Sequence, residues 1–197
     1  MAYFAWAKYQ AQQSSHCWDN FVQTTYSYGR WNLLARYRLK MRERDNADKS
    51  ALIYKKEHRG RLAVGYDGTQ WASRTQADLS FCDFTATSVG FMLSETFDYS
   101  WRKLKLNLNV GYFKTDDYDS RIYIYERGLL YSFTFPSFFG EGVRCAVNTR
   151  ADINEKIMVI AKLGSTKYFD RQSIGSGLQE VKGSNMTDLE IQIRLKL

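Results

Sequence analysis

The sequence has little of three residue types that carry specific structure or chemistry: one proline, two histidines and three cysteines among 197 residues. Proline is kept out of sheet interiors, so its scarcity leaves long strands open to this chain. The cysteines, Cys17, Cys82 and Cys145, are odd in number and far apart, which excludes a disulfide framework or metal-ligand spacing, and we interpret them as small apolar residues on strands. His16 and His58 belong to no Ser-His-Asp pattern, so we predict no enzyme activity and no bound cofactor or metal.

Long apolar runs are also missing. No stretch of about 18 apolar residues exists, which excludes a membrane-spanning helix. Residues 1–8 lack the basic start, the apolar core and the cleavage site of a signal peptide. Because a barrel needs an export signal to reach an outer membrane, we expect residues 1–197 to be a single barrel domain and a C-terminal fragment, with its first strand truncated. A cytosolic β-protein is the alternative.

Aromatic residues, by contrast, are abundant, with 14 Tyr, 12 Phe and 5 Trp, and such residues fit the pleated surface of a sheet. The end of the chain alternates strictly between apolar and polar residues. The apolar positions are Leu189, Ile191, Ile193, Leu195 and Leu197. Because successive strand side chains point to opposite faces, this segment predicts a strand with one aliphatic and one charged face.

The same alternation recurs along the chain. It is clear over residues 31–42, 61–66, 103–112 and 143–148, looser over 157–163, and weaker over 17–28, 71–81, 89–99, 117–126 and 129–135. Short and long connections alternate between these segments, as the periplasmic turns and external loops of outer-membrane barrels do. We therefore predict an all-β fold, an antiparallel up-and-down transmembrane β-barrel of about twelve strands, or part of a larger barrel.

The polar strand faces carry many cations, in a chain whose net charge is +7. Alternation alone fits a soluble barrel too, but the bulky charged faces, the Trp and Tyr near strand ends and the strand lengths favour a membrane barrel with a wet lumen. We predict a basic lumen lined by Arg36, Arg38, Lys40, Arg42, Arg61, Lys103, Lys105, Arg144 and Arg194. Headgroup contact and a solvated face are the alternatives. Nucleic-acid contact is not expected, because aromatic residues lie on the opposite face from the row that begins at Arg36.

Residues 133–142 contain the only proline and two glycines, which marks them as a loop rather than a strand. Two interpretations stay open for this loop. It folds inward and constricts the pore, or it packs on the barrel rim.

Three stretches carry a family resemblance: residues 115–126 (TDDYDSRIYIYE), 130–142 (LYSFTFPSFFGEG) and 170–180 (DRQSIGSGLQE). They resemble the C-terminal region of a Bacteroidota family of outer-membrane β-barrel proteins, some of which carry an N-terminal helix-hairpin-helix domain. The resemblance covers most of the chain and is strongest from residue 90 onward. It implies an outer-membrane location, and it implies that upstream barrel strands and any helix-hairpin-helix domain lie outside this chain.

The last strand is similar to the signal that the barrel assembly machinery reads, with Leu197 in place of the usual terminal Phe. The expected partners are therefore outer-membrane lipid, that machinery and missing upstream strands of the same protein. We predict a pore, a transport element or a surface scaffold. A soluble basic β-barrel that binds a ligand or nucleic acid is the alternative, and a barrel enzyme acting on lipid is a third hypothesis.

Overall fold

The computed structural model describes residues 2–6, 14–46, 48–132, 135–175 and 177–196. The strands are β1 (Ala2–Trp6), β2 (Ser15–Tyr28), β3 (Trp31–Asp45), β4 (Leu52–Asp67), β5 (Trp71–Asp83), β6 (Thr87–Trp101), β7 (Leu104–Thr115), β8 (Ile122–Tyr123), β9 (Ser137–Phe138), β10 (Glu141–Asp152), β11 (Ile157–Tyr168), β12 (Ser173–Ile174), β13 (Val181–Lys182) and β14 (Asn185–Leu195). A single 3₁₀ turn, Gly177–Gln179, is the one helical element in the described residues. Within those residues, no helix is both long enough and apolar enough to span a membrane.

Ten strands form one sheet in the order β1-β2-β3-β4-β5-β6-β7-β10-β11-β14. Each neighbouring pair is antiparallel, which confirms the all-β, up-and-down prediction. β1 pairs with β2 and β14 pairs with β11. Among the described residues, no pairing joins β14 to β1, so the sheet is not closed by its own ladder. The count of about twelve strands, based on alternation, was wrong because two of the predicted segments do not enter the sheet.

Those two segments, 117–126 and 129–135, lie in the connection between β7 and β10. The described residues of this connection, 116–132 and 135–140, run across the polar face of the sheet, and we call them the inward segment. Its alternation serves packing rather than strand pairing. Ile122 and Ile124 are buried, and Glu126 meets cations of the sheet, so the apolar and polar positions contact the sheet through side chains. Apart from the two-residue pair of β8 and β9, its described residues form no strand.

The register of the sheet separates its two faces. Leu33 lies opposite Val64, and Leu163 lies opposite Leu189. We call this face the outer face. Its exposed aliphatic residues include Leu33, Leu62, Val64, Leu79, Leu93, Val110, Leu163, Leu189, Ile191, Ile193 and Leu195.

The opposite face, which carries the inward segment, is the inner face. Its buried polar residues include Gln76, Asp78, Ser94, Asn107, Asn109, Asn148, Lys162 and Thr166. A sheet in water does the reverse, because it buries its apolar face against a core and solvates its polar face.

Aromatic rings gather on the outer face beside the short turns. Trp31 and Tyr66 have ring centroids 5.0 Å apart, Tyr66 and Trp71 are also 5.0 Å apart, and Trp71 and Phe97 are 6.2 Å apart. Such contacts hold the rings in a continuous band. The band agrees with the sequence prediction of Trp and Tyr near the strand ends.

A second aromatic group lies on the outer face towards the other ends of the strands. The Tyr37 hydroxyl is 2.7 Å from His58 Nδ1, and the rings of His58 and Phe81 are 5.7 Å apart. Phe91 and Tyr112 continue the group, with centroids 5.8 Å apart. Aliphatic side chains therefore occupy the middle of the outer face, and aromatic rings flank them on both sides.

Connection lengths differ between the two ends of the sheet. At the Trp31 end, the sheet strands are joined by residues 29–30, 68–70, 102–103 and 153–156. At the other end, they are joined by residues 46–51, 84–86, 116–140 and 169–184. The predicted alternation of short and long connections is therefore present, although 84–86 is shorter than the sequence indicated.

The C-terminal strand forms as predicted, with its aliphatic positions on the outer face. Its last predicted position, Leu197, lies outside the described residues. The alternation pattern predicts that His16 lies in a loop and that His58 lies at a loop-strand junction. Both predictions are wrong: His16 lies in β2 and His58 lies well inside β4, because both strands extend further than their alternation shows.

Candidate functional site

A cavity of about 500 Å³ lies between the inner face of strands β2 to β5 and the inward segment. Its cationic lining residues are Arg36, Arg38, Lys40, Arg42, Arg59, Arg61 and Arg121. The structure thus brings together five of the predicted lumen residues, those from β3 and Arg61. The sequence analysis missed Arg59 and Arg121. Arg59 shares a strand face with Arg61, so the same alternation could have found it.

Like charges face each other across strands β3 and β4. Arg36 lies directly opposite Arg61, and Arg38 lies directly opposite Arg59. Like charges placed opposite one another destabilise a sheet. The cavity therefore concentrates positive charge at a cost to the sheet that holds it.

Three carboxylates reduce this charge. Arg38 Nε donates to Asp19 Oδ1 at 2.8 Å, and Arg61 Nε donates to Asp78 Oδ1 at 2.6 Å. Glu57 accepts from Arg42 at 2.9 Å. Seven cations against three carboxylates leave four positive charges in excess.

Two arginines of the cavity are not fully satisfied by carboxylates. Arg36 donates through Nε and Nη2 to the neutral Gln23 Oε1, at 2.8 and 2.6 Å. The Nε of Arg42 is buried and has no hydrogen-bond partner within the described part of the chain. A buried donor without a partner carries a desolvation cost that an acceptor would remove.

Aromatic rings complete the cavity wall. Phe21 projects from β2 on the inner face, and the Arg36 guanidinium lies 5.3 Å from its ring centroid. The inward segment contributes Tyr123, whose ring centroid lies 5.0 Å from the Arg59 guanidinium, together with Tyr125 and Phe135. On β3 itself the aromatic residues lie on the face opposite the basic row, as predicted, but β2 and the inward segment bring further rings to the basic side. Phe21 interrupts the alternation of β2, and the other rings come from residues that the sequence assigned to strands.

A buried ion cluster fixes the inward segment to strands β10 and β11, on the side of the inner face away from the cavity. Arg144 of β10 donates to both oxygens of Glu126, at 2.8 and 2.9 Å. Lys162 of β11 lies 3.1 Å from the same carboxylate, and Arg144 also contacts Asp188 of β14 at 2.7 Å. The side chains of Arg144, Glu126 and Lys162 are only 3%, 1% and 4% exposed. A bidentate pair of this kind sets position as well as adding energy.

Further contacts hold the segment on both sides. Lys55 of β4 forms an ion pair with Asp119, and Arg61 Nη2 donates to the Tyr123 carbonyl at 3.2 Å. At the far side, the Leu130 amide donates to Gln192 Oε1 at 2.8 Å. The segment therefore bridges β4 and β14.

An apolar cluster lies beneath the segment. Phe138 packs on Phe113 of β7 with ring centroids 5.1 Å apart, and both are fully buried beside Met92, Ile122 and Ile124. The described part of residues 133–142, from 135 onward, includes Phe138 packed on the inner face of the sheet. Constriction of a pore by this loop stays a prediction.

Asp117 anchors the start of the segment, just beyond the end of β7. Burial raises the pKa of this carboxyl, but hydrogen bonds from Ser88 Oγ and from the amides of Asp119 and Ser120 outweigh it, and the net pKa is below its ordinary value. The Ser88 and Asp119 contacts are 2.5 and 2.7 Å long. The carboxylate thus stays charged and holds the turn.

The other predicted lumen residues lie apart from the cavity. Arg144 belongs to the ion cluster. Arg194 lines a second cavity of about 260 Å³ together with Arg150. Lys103 donates to the Ile153 carbonyl at 3.4 Å, and Lys105 lies opposite Arg150 in the sheet. The predicted residues thus form two basic regions and one buried cluster rather than a continuous row.

Gly164 makes room for the ion cluster. A Cβ at this position would overlap the Arg144 guanidinium and the Asp188 carboxylate, whereas a Cβ at Gly60 would meet nothing nearer than Leu79 Cβ at 3.9 Å. We expect Gly164→Ala to lower the free energy of unfolding by about 1–3 kcal/mol, the usual cost of overpacking. The matched Gly60→Ala should leave it unchanged or raise it by up to about 1 kcal/mol.

Urea unfolding followed by tryptophan fluorescence measures both variants. Equal stabilities for the two alanine variants would contradict the tight fit of Arg144 against β11.

Comparison of the chain with protein-family models, with curated protein sequences and with solved structures gives no match. The family resemblance described above therefore stays a prediction.

Proposed function

We propose that this chain is an outer-membrane β-barrel, or the C-terminal part of one, that acts as a pore or transport element for anions. Its outer face contacts lipid, its basic inner face lines the lumen, and the inward segment narrows that lumen. The observation that carries the proposal is the polarity of the two faces, with aliphatic residues exposed and charged residues buried.

The outer face supports a lipid contact because water solvates it poorly. Leu62 is 64% exposed and Leu189 is 65% exposed, and similar aliphatic residues surround them on neighbouring strands. Monomeric soluble proteins rarely expose a contiguous apolar patch larger than a few hundred Å². Contact with hydrocarbon removes the free-energy cost of exposing these aliphatic side chains to water, since they then have an apolar solvent.

The dimensions of the outer face also fit a bilayer. Trp31 and Tyr37, which belong to the two aromatic groups, are six residues apart on β3, a distance of about 20 Å along a strand. The apolar band of outer-membrane barrels is about 25 Å tall and has an aromatic girdle at each interface. Strands of 11 to 16 residues, from β14 to β4, are long enough to cross it at a tilt.

One carboxylate, Glu95, interrupts the aliphatic face. Thr75 lies directly opposite and donates to Glu95 Oε2 at 2.5 Å. The hydrogen bond reduces the cost of this group, and acidic residues are less costly than Arg or Lys on a lipid-facing surface.

Closure is part of the proposal. An unpaired strand edge in hydrocarbon leaves backbone groups without partners. Ten strands are an even number, so β1 and β14 run antiparallel and are able to pair with each other. Further strands of the same protein are the other source of partners. The alternating β14 is then the segment that the barrel assembly machinery would recognise.

Tryptophan quenching by brominated lipid tests the proposal. Trp31, Trp71 and Trp101 lie on the outer face near the short turns and should be quenched strongly when the bromine is near the headgroups and weakly when it is near the bilayer centre. The folded protein should also require detergent and shift its gel migration on heating. A monodisperse, detergent-free protein that bromolipids do not quench would overturn the proposal and favour a soluble ligand-binding protein.

A further inference from the structure

We infer that the 500 Å³ cavity is a binding site for a small organic anion that carries two or more phosphate groups. The inference rests on the proposed function, since it names the class of solute that the basic lumen recognises. It is carried by the paired arginines of β3 and β4, by the charge of Arg36 that no carboxylate partner balances and by the aromatic wall.

The arginines are arranged to bind more than one anionic group. Two cross-strand pairs, Arg36 with Arg61 and Arg38 with Arg59, follow one another along the strands. Their separation is two residues, about 7 Å. Arginine binds phosphate through two parallel hydrogen bonds. Two phosphate groups at this separation would each meet a pair of guanidinium groups.

One arginine of these pairs keeps an unbalanced charge for such a ligand. Arg36 donates its hydrogen bonds to the neutral Gln23 amide oxygen rather than to a carboxylate. The cations that line the cavity outnumber their carboxylate partners by four, so the site attracts an anion. A ligand with several negative charges balances this excess in one binding event.

The size and the wall of the cavity favour an organic ligand over a simple ion. A volume of about 500 Å³ is within the usual range for small-molecule sites. Phe21 lines it on the β2 side, and Tyr125 and Phe135, whose ring centroids are 6.0 Å apart, line it from the inward segment. These rings offer a surface for a planar or apolar part of the ligand, while the arginines take its phosphates.

The like-charge pairs also predict a trade between stability and binding. Arg36→Gln removes repulsion with Arg61, so the unliganded variant should unfold at a higher temperature than the native protein. The same variant should bind ATP and inorganic tripolyphosphate about tenfold more weakly, because it loses charge-assisted hydrogen bonds. A residue with a purely structural role would not stabilise the protein on removal.

Isothermal titration of the folded protein in detergent, with ATP, tripolyphosphate and inorganic phosphate as probes, measures the binding. We expect both polyphosphates to bind more tightly than inorganic phosphate, and ATP to bind more tightly than tripolyphosphate. Arg36→Lys, which keeps the charge but not the fork of donors, should fall between the native protein and Arg36→Gln. Arg150→Gln, which removes one positive charge at the second cavity, should bind within twofold of the native protein.

Three results would overturn the inference: no polyphosphate binding, equal loss in Arg36→Gln and Arg150→Gln, or full affinity in Arg36→Gln. Equal loss would mean diffuse electrostatic attraction rather than a site. The two proposals fail separately. If the membrane proposal fails, bromolipids do not quench the tryptophans although the protein still binds polyphosphate. If the binding inference fails, bromolipids quench the tryptophans although the protein does not bind polyphosphate.

Discussion

Glu126→Gln is expected to lower the free energy of unfolding by about 3–5 kcal/mol, the cost of breaking a buried ion pair by removing one partner. The carboxylate of Glu126 accepts two hydrogen bonds from Arg144 and lies 3.1 Å from Lys162. Glutamine keeps the shape of the side chain but not its charge. Two buried cations would then face each other with only the more exposed Asp188 and Glu190 nearby.

Urea unfolding of matched variants tests whether the lost charge of Glu126 causes the loss of stability. Glu180→Gln, at an exposed position, removes the same charge and should change stability by less than about 0.5 kcal/mol. In a Lys162→Met background, Glu126→Gln should cost less than it does in the native protein, because one of the buried cations is gone. Equal costs in the two backgrounds would show that Lys162 does not couple to Glu126.

If the proposed barrel forms, the same substitution should widen its lumen. Glu126 fixes the inward segment to β10 and β11, so its loss should free the segment from that side of the inner face. In planar bilayers, the Glu126→Gln protein should conduct more current than the native protein, and proteases should cut within residues 116–140 more readily. Unchanged conductance together with lost stability would assign the cluster to folding alone.

The faces of the sheet could be predicted from the sequence because a strand alternates with a fixed period. Leu189, Ile191 and Ile193 have no apolar residue between them, so a register shift of one residue would exchange the two faces completely. The same rule placed Arg36 and Arg61 together on the inner face. Local pattern alone decides such assignments.

The inward segment could not be predicted in this way. Ile122 and Ile124 alternate with Tyr123 and Tyr125 as strand residues do, and nothing local distinguishes them from a strand. Their position depends on the contact between Glu126 and Arg144, a contact that joins residues 18 positions apart in the chain. Contacts between side chains distant in sequence leave no periodic signal.

Only part of the cavity could be predicted from the sequence. Its basic rows follow from the alternation of β3 and β4, whereas its aromatic wall depends on where the inward segment crosses the sheet. Tyr125 and Phe135 reach the cavity only because the segment folds back on itself, with their rings 6.0 Å apart. The side of the cavity formed by strands β3 and β4 is therefore predictable from the sequence, and the side formed by the inward segment is not.

Leu62→Arg is expected to lower the stability of the lipid-embedded protein by about 2–4 kcal/mol, the cost of arginine near the midplane on the lipid face of a barrel. Leu62 lies on β4 between the two aromatic groups and is 64% exposed. Hydrocarbon cannot solvate a guanidinium, whereas water solvates it better than it solvates leucine. The sign of the effect therefore reports which solvent surrounds the outer face.

Val181→Arg is the matched control, because Val181 has the same 64% exposure but lies in the short β12–β13 pair outside the main sheet. It should change stability by less than about 0.5 kcal/mol. Urea unfolding in lipid vesicles measures both variants. Comparison of Leu62→Arg with Leu62→Gln separates the cost of the charge from the cost of a polar side chain, and Leu62→Gln should show a smaller loss of stability of the same sign. If Leu62→Arg is as stable as Val181→Arg, or more soluble without detergent than the native protein, the outer face contacts water and the membrane proposal fails.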